Sequence, residues 1–546
     1  MTEHDFVVVG GGTAGCVLSA RLAEDPGTRV LLLEAGGSEP LPAMTAPDAW
    51  PELIGSTADW ADVTTAQADA GPLPYPRGRV LGGSGAINAM AHLRAHRAVY
   101  DAWAAAGAAG WGYEELLPYF KRTEHAENTG HAGDARHDGG RDPALRGIHG
   151  PVRVAPVPEG SRHPVASALA EALRAAGHPA TGDLSGRRQD GVAWPDLAVA
   201  DGHRVSPADA YLRPAMNRPN LTVQADCLAT RLHIRHGRCT GVTYLRDGTP
   251  REAHASGEVI VCAGAIGSPQ LLMLSGVGPA GQLRALGIDV AADLPGTGTN
   301  LQDHPMAMAC YAPAVTLPPS RYNHGEMYAA LRSPMAGAWP DLHLFPILLP
   351  LAPPGHTAPA GGFALVASVV APDSRGSVRL ASPDPRAAPL IDPGFLREPG
   401  DISRLEAGLT MIRQAAAHSA FTRLGVTEAL PGSVARDGSG LRAWIRRTVS
   451  SYYHPAGTCR IGPGQHQDAV LDPELRVHGI TGLRVADASV VPVIPNAHPN
   501  ATVLAIAERA ADLIRGLHPA GNAGNPDNPG HAGHAGHADP EGRSRQ

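Results

Sequence analysis

The sequence predicts an α/β protein, α+β when taken as a whole, in which a parallel β-α-β unit is combined with a layer of antiparallel strands. Three observations predict it. An apolar run from Phe6 to Val9 turns through Gly10-Gly11-Gly12-Thr13-Ala14-Gly15 into an amphipathic helix carrying Val17, Leu18 and Leu22, and a second apolar run, Val30 to Leu33, ends at Glu34. A further strand-like run, Glu258 to Cys262, is followed by Gly264-Ala265 and a helix from Ser268. Around Phe363 to Val370 and Gly376 to Leu380 the pattern alternates, which is the signature of antiparallel strands.

The chain has 546 residues, enough for three or four ordinary domains or for two large interleaved ones. Its 45 Lys+Arg against 52 Asp+Glu give a net charge of −7, which argues against a nucleic-acid partner. With 43% hydrophobic and 18% charged residues it can bury a large core. Cys16, Cys227, Cys239, Cys262, Cys310 and Cys459 contain no Cys-x-x-Cys pair, so reduced thiols in a cytoplasmic protein are expected, not a disulfide framework or a zinc ribbon. Met1 to Asp5 carry none of the features of a signal peptide, and no segment offers the roughly 18 uninterrupted apolar residues of a membrane span.

Between Ala35 and Pro76 the pattern is irregular and proline-rich. Arg79-Val80-Leu81-Gly82-Gly83-Ser84-Gly85 then makes a second glycine-rich turn leading to Asn88, of the kind that brings backbone close to a ligand or another segment. From His125 to Gly150 the composition predicts a long surface loop. Leu221 to Val223 reads as a strand, Tyr311 to Gly362 is too proline-dense to assign, and the last core element is a helix from Ala501 to Leu517. Beyond His518 the Gly, Pro, Asn and His residues predict a disordered tail, and His531, His534 and His537 are read as low complexity rather than as a metal site.

Gly10-x-Gly12-x-x-Gly15 between strand and helix is a dinucleotide fingerprint. Its glycines allow a tight turn and the approach of backbone N–H groups to a pyrophosphate at a helix N-terminus. Glu34 lies 19 residues past the third glycine, where a carboxylate accepts from ribose hydroxyls and disfavours a 2′-phosphate and hence NADP. Two histidines stand out near the C-terminus: His454 in Ser451-Tyr452-Tyr453-His454-Pro455 and His498 in Asn496-Ala497-His498-Pro499-Asn500. Each precedes a proline, which holds it in extended geometry, and a neutral imidazole is a natural acceptor of an alcohol proton.

Four segments together resemble the glucose-methanol-choline (GMC) family of flavin oxidoreductases over nearly all of residues 4 to 517: Gly10 to Gly15 with Glu34; Gly78 to Asn88; Gly264-Ala265-Ile266-Gly267-Ser268-Pro269-Gln270-Leu271-Leu272 and on to Gly278; and the two histidine segments flanking Gly482 to Ser489. The resemblance implies FAD rather than NAD, with Gly10, Gly12, Thr13, Ala14 and Gly15 on the pyrophosphate and Glu34 and Ala35 at the adenosine ribose. It places Arg79, Gly82, Gly83, Asn88 and Ala89 toward the flavin, Ala229 on adenine, and Asp487 and Ala488 on a late strand against the cofactor. His454 matches the catalytic histidine and His498 its partner. A helix starting at Asn500-Ala501-Thr502 would aim its positive end at the reduced flavin. The implied reaction moves the hydroxyl proton of an alcohol to His454 and its hydride to flavin N5, giving an aldehyde or ketone, with oxygen or another acceptor reoxidising the flavin.

The resemblance further implies a discontinuous FAD domain (residues 1–155, 201–305 and 450–517) and a substrate domain (156–200 and 306–449), with 518–546 as tail. Ile87 stands where branches with covalent FAD carry a histidine, so the cofactor is expected to be non-covalent. His92 replaces the usual aromatic residue or Ala. Leu301-Gln302-Asp303-His304-Pro305 resembles the choline-oxidising branch, but Met306 follows where a carboxylate would be expected; a neutral primary alcohol is therefore favoured over choline. Tyr452, Tyr453 and Met306 are the candidate pocket residues. Two other readings stay open: a hydroxynitrile lyase of the same fold that keeps FAD without using its redox chemistry, and an NAD-dependent dehydrogenase supported by the first motif alone.

Overall fold

The computed structural model describes residues 4–126, 141–435 and 438–517; the expected tail and residues 127–140 of the expected loop lie outside them. Five parallel strands form the nucleotide-binding sheet, in the order Leu221–Gln224, Val30–Leu33, His4–Val9, Thr249–Val261 and Leu483–Val485. At the centre of the sheet the runs Val7–Val9, Val30–Leu33 and Val259–Val261 are continuously apolar and buried, because parallel strands are covered on both faces. Thr249–Val261 is long enough to belong to two layers: its second half pairs with His4–Val9, and its first half closes an antiparallel meander with Cys227–Arg235 and Arg238–Arg246.

The second sheet is antiparallel, ordered Thr427–Leu430, Pro305–Ala312, Phe363–Val369, Leu342–Ile347, Tyr328–Leu331 and Gly191–Ala193, with Ser450–Ser451 paired to the start of Pro305–Ala312. Side chains alternate across it with period two. Ala307, Ala309, Leu344 and Ala367 face helices Pro164–Ala175 and Pro399–Ala416 through Leu169, Leu405 and Leu409. Met306, Tyr328, Phe345 and Val366 belong to the core shared with the nucleotide-binding sheet.

Two of these strands, Tyr328–Leu331 and Leu342–Ile347, fall in the proline-dense stretch left without an assignment, and Pro346 lies inside one of them. The expected strand near residue 376 forms instead a separate pair, Ser377–Arg379 with Leu390–Asp392. Part of the expected 125–150 loop is ordered. His125 and Ala126 belong to strand Glu124–Ala126, and Arg146 turns inward to bridge the buried carboxylates of Glu124, Asp183 and Asp196. His92 packs onto the same cluster, 3.6 Å from Glu124, which is why an imidazole is accommodated there. No helix among the described residues is long and apolar enough to cross a membrane.

Candidate active site

The two glycine-rich turns are stacked backbone on backbone. Gly82 N donates to Gly11 O (2.7 Å), and a Cβ on Gly83, whose φ is +54°, would lie 2.6 Å from Gly12 Cα. A Cβ on Gly15 would come within 1.8 Å of Gly10 O, so the third glycine is a requirement of the turn itself. Helix Thr13–Leu22 begins with no side-chain cap and no acidic residue in its first turn. Its free N–H groups and positive end open on a cavity of 690 Å³ lined by Gly10, Gly12, Thr13 and Ala14.

Glu34 and Ala35 line one end of this cavity, together with Ala229 from the meander. The Glu34 carboxylate accepts from Gly11 N (2.7 Å) and Gly36 N (2.8 Å), and burial pushes it up to about 7 despite those bonds. Arg79 lies at the cavity edge with its guanidinium 5.1 Å from the Trp60 ring centroid. Asn88 is held by Arg204, which donates to its side-chain oxygen at 2.9 Å, and the Ala89 carbonyl accepts from Asn323 of the antiparallel layer at 2.7 Å. Asp487 accepts from Gly264 N (2.9 Å) and Ser268 Oγ (2.5 Å), tying the late strand to the start of helix Gly264–Leu274. That helix begins four residues earlier than expected.

At the other end His454 and His498 meet, with ring centroids 5.1 Å apart at 74°. The pairing of Ser450–Ser451 with Pro305–Met306 fixes the chain just before His454. Tyr453, at φ +64°, then breaks the strand and redirects it. His498 is the residue before helix Pro499–Ile514, which starts one residue ahead of the expected Asn500. Thr13 Oγ1 donates to Asn500 Oδ1 at 2.8 Å, so the two helix N-termini converge on one cavity. Tyr452 OH lies 2.9 Å from His498 Nε2, and its ring stacks on Phe345 at 4.8 Å. Burial holds both His454 and His498 well below the ordinary imidazole value, so both are neutral.

Two residues beneath the pair went unnoticed as functional candidates. His304 Nδ1 lies 2.9 Å from His454 Nδ1. Asp303 accepts from the backbone N of both His304 (2.7 Å) and His454 (2.9 Å), and from Tyr75 OH and Ser451 Oγ. Leu301 to Pro305 offered a signal for them. His343, buried with its ring centroid 6.2 Å from that of His498, comes from the proline-dense stretch and had no signal.

The cavity therefore brings together Gly10, Gly12, Thr13, Ala14, Glu34, Ala35, Arg79, Gly83, Asn88, Ala89 and Ala229 with Asp487, Ala488 and Asn500, and joins them to Met306, Tyr452, Tyr453, His454 and His498. It does not include Gly15, Gly82, Ala501 or Thr502. Gly15 and Gly82 act behind it, through the turn contacts above, and the Thr502 hydroxyl points away to Tyr100 OH at 2.8 Å. A long cavity with an uncapped helix end, a carboxylate at one extremity and a neutral imidazole pair at the other fits an extended dinucleotide.

Comparison with known proteins agrees. Two GMC oxidoreductase models match residues 4–306 and 372–507. Human mitochondrial choline dehydrogenase is 37% identical over 550 residues, covering 94% of this chain and 90% of that one. Among solved structures, pyridoxine 4-oxidase from Mesorbium loti superposes with a TM-score of 0.88 at 35% identity, covering 95% of this chain and 100% of that one. A formate oxidase from Aspergillus oryzae RIB40, described for modification of its FAD, gives 0.84 at 28%, covering 94% and 98%. The chain belongs to the GMC oxidoreductases, a family of FAD flavoproteins, and is an oxidoreductase acting on CH–OH donors.

Proposed function

We propose that this enzyme oxidises a neutral primary alcohol, best an aromatic one, to the aldehyde, with non-covalent FAD and with His454 as acceptor of the hydroxyl proton. The observation that carries the reading is the imidazole pair at a cavity end walled by Met306, Tyr328, Phe345 and Tyr452 with no carboxylate among them. The acidic residues lining the cavity are occupied elsewhere: Glu34 by the fingerprint turn, Asp62 by Arg77, and Asp487 by Gly264 and Ser268. A quaternary ammonium would find aromatic faces but no free carboxylate in the cavity wall. Pyridoxine, named for the 35%-identical structure, is an aromatic alcohol.

When bound, FAD supplies the two-electron acceptor for the hydride leaving the carbinol carbon. The protein's own contribution is positional. Neutral His454 takes the O–H proton, His498 fixes the same oxygen through the Nε2 that now faces Tyr452, and the apolar wall keeps water out. Ile87 lines the cavity where covalent attachment would need a histidine, so denaturation should release the yellow colour into the supernatant. Six unpaired, buried thiols suit a reducing compartment, in keeping with a cytoplasmic location.

An anaerobic absorbance titration with benzyl alcohol, pyridylmethanol, ethanol and choline, followed by air, tests the reading. Bleaching by the aryl alcohols and not by choline is expected, with His454→Ala slowing it by about 10²–10⁴. Faster bleaching by choline would overturn the neutral-substrate assignment. An always-oxidised flavin together with cyanohydrin cleavage would replace oxidation by lyase chemistry. The rate of recolouring in air separates oxygen from another acceptor.

A further inference from the structure

We propose that His304 is a positioning residue that fixes His454 as its Nδ1–H tautomer, leaving an unprotonated Nε2 for the substrate, while Asp303 clamps both histidines by their backbone. The proposal rests on the reading of His454 as proton acceptor.

His304 is fully buried and does not line the cavity, so it cannot touch the substrate. Its Nδ1 is 2.9 Å from His454 Nδ1 and the two rings are perpendicular, at 90°. Two imidazole nitrogens at that separation share one proton: two lone pairs would repel, and two N–H groups would clash. The direction follows from the site. His454 Nε2 hydrogen-bonds to no protein group among the described residues, and it must be unprotonated to take the alcohol proton, so the single proton of neutral His454 belongs on Nδ1, and His304 Nδ1 is its acceptor.

The surroundings keep His304 neutral. Burial lowers it to about 3, and His343 adds to the effect. The groups facing His454 are His304, His343, His498 and the Tyr452 ring. All four are uncharged; the carboxyl group that holds the backbone of both His304 and His454 is Asp303, which burial pushes up to about 6 so that it is still ionised at neutral pH. Every hydrogen bond to that carboxylate comes from a donor: two backbone N–H groups, Tyr75 and Ser451. When the alcohol O–H breaks and a new N–H forms at His454 Nε2, the bond to His304 persists unchanged, and a buried anion stands nearby to balance the new cation. In the opposite tautomer Nε2 would already carry a proton and the base would be absent.

Nitrogen-15 NMR of the histidine-labelled holoenzyme reads this directly, with the His454 signals identified by their loss in His454→Ala. A protonated Nδ1 and a bare Nε2 are expected; the reverse overturns the proposal. Kinetics with the fastest-bleaching alcohol of the panel provide a second readout. His304→Phe, which removes the acceptor, should slow flavin reduction by at least about 10²-fold with FAD content and KM retained. His304→Asn, whose amide oxygen takes the place of Nδ1, should restore most of the rate. Equal slowing by Phe and Asn would mean a packing role only, and wild-type rates in both would remove His304 from the mechanism. If His454→Ala itself reduces normally, the underlying reading fails, an outcome distinct from a failure of His304 alone.

Discussion

At the residue scale, the proposed preference for a neutral alcohol turns on Met306. Its side chain is on the cavity face of Pro305–Ala312, next to the imidazole pair, where a carboxylate would meet a cationic alcohol. Met306→Glu is expected to raise kcat/KM for choline and lower it for benzyl alcohol, a crossover visible in flavin-reduction rates; no gain with choline would show that the cation is excluded by shape. With His454 as the proposed base, the imidazoles give an expected pH response. Because burial lowers His454 and His498 from 6.5, the basic form persists below that value. The acid limb of kcat/KM for flavin reduction should therefore lie below pH 6.5, with activity lost as pH falls through the lowered value and flat above it. A limb at 6.5 or above would mean that the base is solvated. These residue identities were legible in the sequence. Which nitrogen of His454 is free was not, because it depends on His304, 150 positions away.

At the scale of elements, the fingerprint turn was legible because local sterics dictate it: Gly15 meets Gly10 within the same turn. Gly15→Ala should abolish FAD retention, measured as the ratio of flavin to protein absorbance after gel filtration, since no rotamer relieves a clash with a backbone oxygen at 1.8 Å. The stacking of this turn on Gly82 and Gly83 joins two segments some 70 residues apart, and only folding revealed why the second turn is also glycine-rich. Strands Tyr328–Leu331 and Leu342–Ile347 escaped the sequence because they are short and buried on both faces, so they show no alternation to read, and the second contains Pro346. Their hydrogen-bonded neighbours, not their own propensity, make them strands.

Across the whole molecule, buried charge fastens the chain away from the site. Glu124 is wholly buried and pairs with Arg94 (2.5 Å) and Arg146 (2.8 Å), and those partners hold it well below the usual carboxylate range. Glu124→Ala leaves two buried guanidiniums short of a partner and should cost about 3–5 kcal/mol, seen as a lower melting temperature at unchanged rate of flavin reduction in the folded fraction. An unchanged melting temperature would mean that Asp183 and Asp196 suffice. By itself the sequence determined the cofactor-binding unit, the family it resembles and the imidazole pair, because close backbone approach, helix ends and proton-accepting side chains are encoded within a few residues. The tertiary structure alone decided that His304, His343 and Asp303 surround that pair, that Met306, Phe345 and Tyr328 form its wall, and that two helix N-termini converge on one cavity. Those relations join residues far apart in the chain through sheet register and burial, and no local pattern carries them.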